Sequence, residues 1–161
     1  SVKDLMRFKG IGQAKAISIV AALEIGARRQ MEEVVQKPKI TGSKDVFDYM
    51  APLLADLPHE EFWVLYLNRA NRILTREQIS SGGVAGTVAD TKLIFKKAFE
   101  LLASSIILVH NHPSGNNRPS MADNQLTKKV KAGGDLLEIA VLDHIIIAQQ
   151  QYYSYADEGM L

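Results

Sequence analysis

The sequence predicts an α/β fold of the α+β-sandwich kind: a mixed β-sheet flanked by helices and preceded by a small all-helical segment. Three observations carry this. Residues 61–68 are apolar on both faces, and 105–109 form an unbroken apolar run, as central strands do. Helical periods begin at the capping residues Ser43, Asp90 and Ser120 and alternate with the strands. Residues 1–30 carry helical spacing only, with Ile17, Val20, Ala21 and Glu24 on one face.

The elements follow in order. Val2–Phe8 can form one short helix, Gly10-Ile11-Gly12 a tight turn, and Ala14–Arg29 a second helix. Residues 31–40, with mixed charge and Pro38, read as a linker to a second domain over 41–161. Ser43 is expected to cap a helix that runs through Phe47, Met50 and Leu54 and stops at Pro58. Residues 61–68 and 72–80 make a hairpin across the turn Asn68-Arg69-Ala70-Asn71, broken after Ser81 by Gly82-Gly83. A helix from Asp90 to Leu102 leads into the 105–110 strand. Pro119-Ser120 opens another helix, with Gly133-Gly134 as the expected stop. Leu136–Ala148 is expected as a strand interrupted by Asp143-His144, and Tyr152–Tyr155 as an edge strand. The Asp143-His144 pair marks either a bulge or a hydrogen-bonding partner for a nearby site.

Composition narrows the class. Of 161 residues, 47% are apolar and 23% charged, enough to bury a real core. There is no apolar run of membrane-spanning length, so no membrane partner is expected. The absence of cysteine excludes disulfides, thiolate metal sites and a Cys nucleophile, and fits a cytoplasmic protein. The first residue is Ser1 rather than Met, which reads as a piece of a longer chain. Charge is uneven: residues 1–40 hold eight Lys/Arg against four Asp/Glu, and the rest eleven against fourteen. Two modules with different partners are expected from that split. No oligomeric state follows from it.

The chemistry concentrates at His110-Asn111-His112-Pro113-Ser114, followed by Ser120 and Asp123. Residues i and i+2 of a strand share a face, so His110 and His112 leave the 105–110 strand side by side. Asp123 completes a three-ligand set that leaves a fourth position for water, as in catalytic zinc sites. Each residue also has a plain structural reading. The histidines can be rim residues, and Ser120-Met121-Ala122-Asp123 has the form of a capping box. The two readings of Asp123 agree, because the first turn of a helix stabilises a carboxylate and a metal ligand must be deprotonated. Carboxylate and imidazole suit Zn²⁺ and other divalent ions. A hydrolase also needs a nearby carboxylate base. Glu77, on the return strand of the hairpin, is the leading candidate, with Glu60, Glu61 and Glu100 as competitors.

His110-x-His112-Pro113, six residues, Ser120, two residues, Asp123 resembles the JAMM (MPN+) metalloprotease signature. The longer run His-Asn-His-Pro-Ser-Gly, then Pro-Ser-x-x-Asp, then Leu142-Asp143-His144-Ile145-Ile146, resembles the RadC family over roughly residues 41–155. The resemblance implies a JAMM/MPN-like fold with cytidine-deaminase-like layering and one Zn²⁺ held by His110, His112 and Asp123. It implies an upstream glutamate as general acid/base, assigned to Glu77, and Ser120 as a stabiliser of the tetrahedral intermediate. The implied activity is a zinc metallopeptidase that cleaves a peptide or isopeptide bond with a zinc-activated water. The chain departs from the family at Val88-Ala89-Asp90-Thr91, where His-Pro-Arg-Glu is usual.

Leu5-Met6-x-x-Lys9-Gly10-Ile11-Gly12-x-x-Lys15-Ala16 is similar to a helix-hairpin-helix, truncated relative to RadC proteins. Gly10, Ile11, Gly12 and Lys15 are its candidate contacts to DNA phosphates. Two other functions follow from these features. One is a non-catalytic DNA-associated protein, in keeping with the family's link to DNA repair. The other is a metal-dependent nuclease using the same ligands.

Overall fold

The computed structural model describes residues 1–34, 38–82 and 89–161, with the backbone alone for 27–34. The chain divides into two units, residues 1–37 and 38–161. The first holds helix α1 (Val2–Leu5) and helix α2 (Gln13–Val34), joined by a turn in which Gly10 takes φ +91°. Helix α2 continues past Arg29, where the sequence was expected to leave the helix. Gln30, Met31, Glu32 and Glu33 are good helix formers and nothing among them breaks the helix.

The second unit is a five-stranded mixed sheet. Its strands are β1 (Glu61–Leu67), β2 (Ile73–Ser81), β3 (Ser105–Asn111), β4 (Ala140–Ala148) and β5 (Gln151–Ser154). They lie in the order β2-β1-β3-β4-β5, with only the β3–β4 pair parallel. The predicted α/β sandwich is therefore present. Helix α3 (Ser43–Leu54) covers one face, where Val46, Met50 and Leu54 meet Leu65, Leu67, Ile107, Val109, Ile145 and Ile147. Helices α4 (Thr91–Glu100) and α5 (Met121–Leu137) serve the other, where Ile94, Phe95, Ala98 and Val130 meet Phe62, Val64, Tyr66 and Leu108. Each fully buried Val, Leu, Ile, Phe or Met among these contributes about 1.5–3 kcal/mol of transfer free energy.

Helix starts are decided by caps. Asp90 accepts the amide of Lys92 at 2.9 Å and opens α4. At α3 the cap is not Ser43, which is already helical. Gly42 holds that position, and the Asp45 carboxylate reaches back to the amides of Thr41 and Gly42. The expected stop of α5 at Gly133-Gly134 is overturned, and so is a strand beginning at Leu136. The helix runs to Leu137 and ends on Glu138 at φ 57°. These glycines serve close approach instead. A Cβ on Gly133 would lie 2.8 Å from the Phe95 ring, and one on Gly134 would lie 2.5 Å from the Ile139 carbonyl oxygen. Gly134→Ala is expected to destabilise the fold by ~1–3 kcal/mol, because overpacking against backbone outweighs the gain in helix propensity. Chemical denaturation checks this, and a midpoint at or above that of the parent would contradict it.

Among the described residues no helix is long and apolar enough to cross a membrane.

Candidate metal centre

The site forms where β3 ends, α5 begins and β1 begins. His110 is the sixth residue of β3, on the face turned to α4 and α5. His112 follows the strand on the same side. The ring of His110 packs against Phe62, centroids 5.9 Å apart, and is 0% exposed. Asp123 is the third residue of α5. Its Oδ2 accepts the Ser120 amide at 2.7 Å while its own amide donates to Ser120 Oγ at 3.1 Å. The expected capping box exists, and it aims the carboxylate at the histidines.

The ligand atoms converge. His110 Nε2 stands 3.0 Å from His112 Nε2 and 3.2 Å from Asp123 Oδ1, and His112 Nε2 stands 3.6 Å from Asp123 Oδ2. Glu60 joins them, with Oε1 4.0 Å from His110 Nε2. One ligand atom from each of the four lies within 4.8 Å of all the others. Donor atoms about 2.0–2.2 Å from a tetrahedral ion stand about 3.3–3.6 Å apart, so the two imidazoles and Asp123 fit a divalent ion of zinc's size.

Electrostatics agree with that fit. Burial alone would raise the Asp123 carboxyl, but the two imidazoles beside it outweigh that and hold the group well below the usual carboxylate range. The same Asp123 contact pushes the His112 imidazole up against the opposing effect of its burial. His112 Nδ1 lies 2.7 Å from the Asn116 carbonyl oxygen. A carbonyl only accepts, so Nδ1 carries a proton, and in the neutral ring the Nε2 lone pair is free for an ion held between the ligands.

Glu77 is not among these groups. Strand β1 lies between β2 and β3, so the return strand is one place removed from the histidines. The Glu77 carboxylate pairs with Lys97 at 3.0 Å, on the other side of Val64. The carboxylate beside the ligands is that of Glu60. The cause is register: antiparallel pairing sets Phe62 opposite His110, so the residue just before β1 arrives at the end of β3. Asn111 fastens that segment on both sides of Glu60. Its Oδ1 accepts the Glu61 amide at 2.8 Å and its Nδ2 donates to the His59 carbonyl at 2.9 Å. Of the other competitors, Glu61 is held by Trp63 and His59, and Glu100 lies beside Lys96 and Lys97.

Ser120 lines a cleft of about 420 Å³ with Glu60, His112, Ser114 and Arg118. Its hydroxyl accepts within the cap and can donate into the cleft. A larger groove of about 1060 Å³ runs between α3 and the β4–β5 connection and shares only Pro113 with that cleft. The ligand chemistry, not the volume, locates the site. In the first unit Gly10 and Gly12 are exposed, Ile11 is half-buried, and Lys15 Nζ donates to the Gly10 carbonyl at 3.3 Å.

The family model for the RadC-like JAB domain matches residues 40–160. The chain belongs to the RadC family. A UPF0758 protein of Flavobacterium johnsoniae is 53% identical over 160 residues, covering 99% of this chain and 70% of the relative. Relatives of the same description from Porphyromonas gingivalis and Methanosarcina mazei are 46% and 41% identical, over 96% and 100% of this chain and 68% and 70% of their own lengths. At the position where this RadC chain departs from the common pattern, Asp90 caps α4 and Ala89 is buried; Val88 lies outside the described residues.

The Asp143-His144 pair carries both roles that the sequence left open. The register slips there, Ile106 facing Val141 and Ile107 facing Asp143, so Leu142 is the extra residue of a bulge. Asp143 holds the bulge by accepting from Ser154 Oγ at 2.6 Å and the Ala156 amide at 2.9 Å. The slip turns His144 toward His110, and complete burial drives its imidazole well below the ordinary value.

Proposed function

We propose that this RadC domain is a zinc-dependent hydrolase that cleaves a peptide or isopeptide bond. The observation that carries the reading is the spacing of His110, His112 and Asp123 at 3.0–3.6 Å, with Glu60 one step outside them. When bound there, the ion supplies Lewis acidity and makes water acidic enough to ionise near neutral pH. His110, His112 and Asp123 hold it. Glu60 takes the proton of the attacking water and delivers it to the leaving amine. Ser120 donates to the oxygen that gains charge as the carbonyl becomes tetrahedral. Two features favour Glu60 as base over a fourth ligand. Its contact with His110 is 4.0 Å, longer than the three mutual distances among His110, His112 and Asp123, and it borders the open cleft.

Protein purified without added metal should carry close to one equivalent of zinc. It should hydrolyse members of a mixed peptide and isopeptide library, stop on chelation and recover on zinc addition. Less than a tenth of an equivalent with no uptake on addition, or hydrolysis that survives complete metal removal, would overturn the proposal.

A further inference from the structure

We propose that Thr127 and His144 form a hydrogen-bond relay that fixes the tautomer and the aim of His110, linking two metal ligands behind the site. The inference rests on the metal-site reading above. Thr127 Oγ1 lies 2.6 Å from the Asp123 carbonyl oxygen and 2.6 Å from His144 Nδ1, and His144 Nε2 lies 2.8 Å from His110 Nδ1.

Proton counting decides the direction. The Asp123 carbonyl can only accept, so the single Thr127 proton goes to it. Thr127 Oγ1 then accepts, and His144 Nδ1 must be the donor. His144 is 0% exposed, stacked on Tyr155 at 5.0 Å and edge-on to Phe62 at 5.7 Å. A second proton would place a charge among aromatic rings at high cost, so His144 Nε2 is a bare acceptor. His110 Nδ1 therefore donates, and His110 Nε2 is left with its lone pair turned to His112 and Asp123.

The reverse order fails at one contact. If Thr127 donated to His144, two oxygens would face each other at 2.6 Å without a proton between them. The relay thus starts at the backbone of one ligand, Asp123, and ends on the ring of another, His110. It ties α5 to β3 through β4, and it depends on the bulge that turns His144 inward. Metal-bound histidines ordinarily lean on a carboxylate, carbonyl or water; here the acceptor is a second imidazole oriented by a threonine.

Thr127 and His144 are positioning residues, so the test reads metal binding and tautomers. In zinc-loaded protein, nitrogen-detected imidazole spectra should show His144 protonated at Nδ1 and bare at Nε2, with His110 protonated at Nδ1. Thr127→Val keeps the shape and removes the hydroxyl. It should weaken zinc affinity by about 10–100-fold in a chelator competition, whereas Thr127→Ser should bind as the parent does. Parent protein that takes up no zinc removes the metal reading and the relay together. Zinc affinity equal in the parent and T127V, or the opposite His144 tautomer, overturns the relay alone. The spectra of the parent decide the direction even if T127V folds poorly.

Discussion

Glu60→Gln is expected to lower kcat/KM by about 10²–10⁴-fold while zinc content stays at the parent level. That range corresponds to ~2.7–5.5 kcal/mol of lost transition-state stabilisation. The amide keeps the size and hydrogen-bonding reach of the carboxylate but cannot take a proton. The backbone clamp from Asn111 on either side of residue 60 should hold the new side chain in place. Glu77→Gln is the matched control. It removes an ion pair with Lys97 on a half-exposed strand and should leave turnover unchanged. If Glu60→Gln lost zinc along with activity, Glu60 would be a fourth ligand and the site a closed one. If Glu77→Gln alone lost activity, the base assignment would return to the hairpin.

The contrast between these glutamates shows which parts of the site are legible in a sequence. His110, His112 and Asp123 are set by local geometry: alternation along one strand, and a capping box from Ser120 to Asp123 at a helix start. Both rules act within a few residues, so spacing alone exposes them. Glu60 is set by the register between strands distant in sequence, with Phe62 facing His110 and Leu67 facing Ser105. The clue was nevertheless present. A strand apolar on both faces is central, so 61–67 needed a neighbour on each side, and β2 could take only one. With β3 on the other side, the start of β1 and not the hairpin's return strand meets the histidines.

The relay and the end of α5 were hidden for a different reason. Thr127 follows Asp123 by one helical turn, which is visible, but its meaning depends on a bulge that redirects His144. Gly133-Gly134 looks like a helix stop because glycine is the usual terminator. Here Phe95 and the Ile139 carbonyl occupy the space that side chains would need, and the helix passes between them. In both cases tertiary packing assigns the residue a job that local preference does not contain.

Asp123→Ala should separate the two tasks of that carboxylate. As a ligand, its loss should weaken zinc binding by more than the ~10–100-fold that follows from removing an outer hydrogen-bond partner. A parent protein held at zinc a thousandfold above its Kd gains ~4 kcal/mol from the ion, and the variant should lose that zinc-dependent rise in Tm. As a cap, Asp123 accepts the Ser120 amide at 2.7 Å, and its removal should cost ~1 kcal/mol with no metal present. The metal-free proteins should therefore differ little, and the zinc-loaded ones greatly. Equal loss in both states would make Asp123 a helix cap alone. An undiminished zinc response in the variant would show that the ion, if bound, sits elsewhere than between His110, His112 and the start of α5.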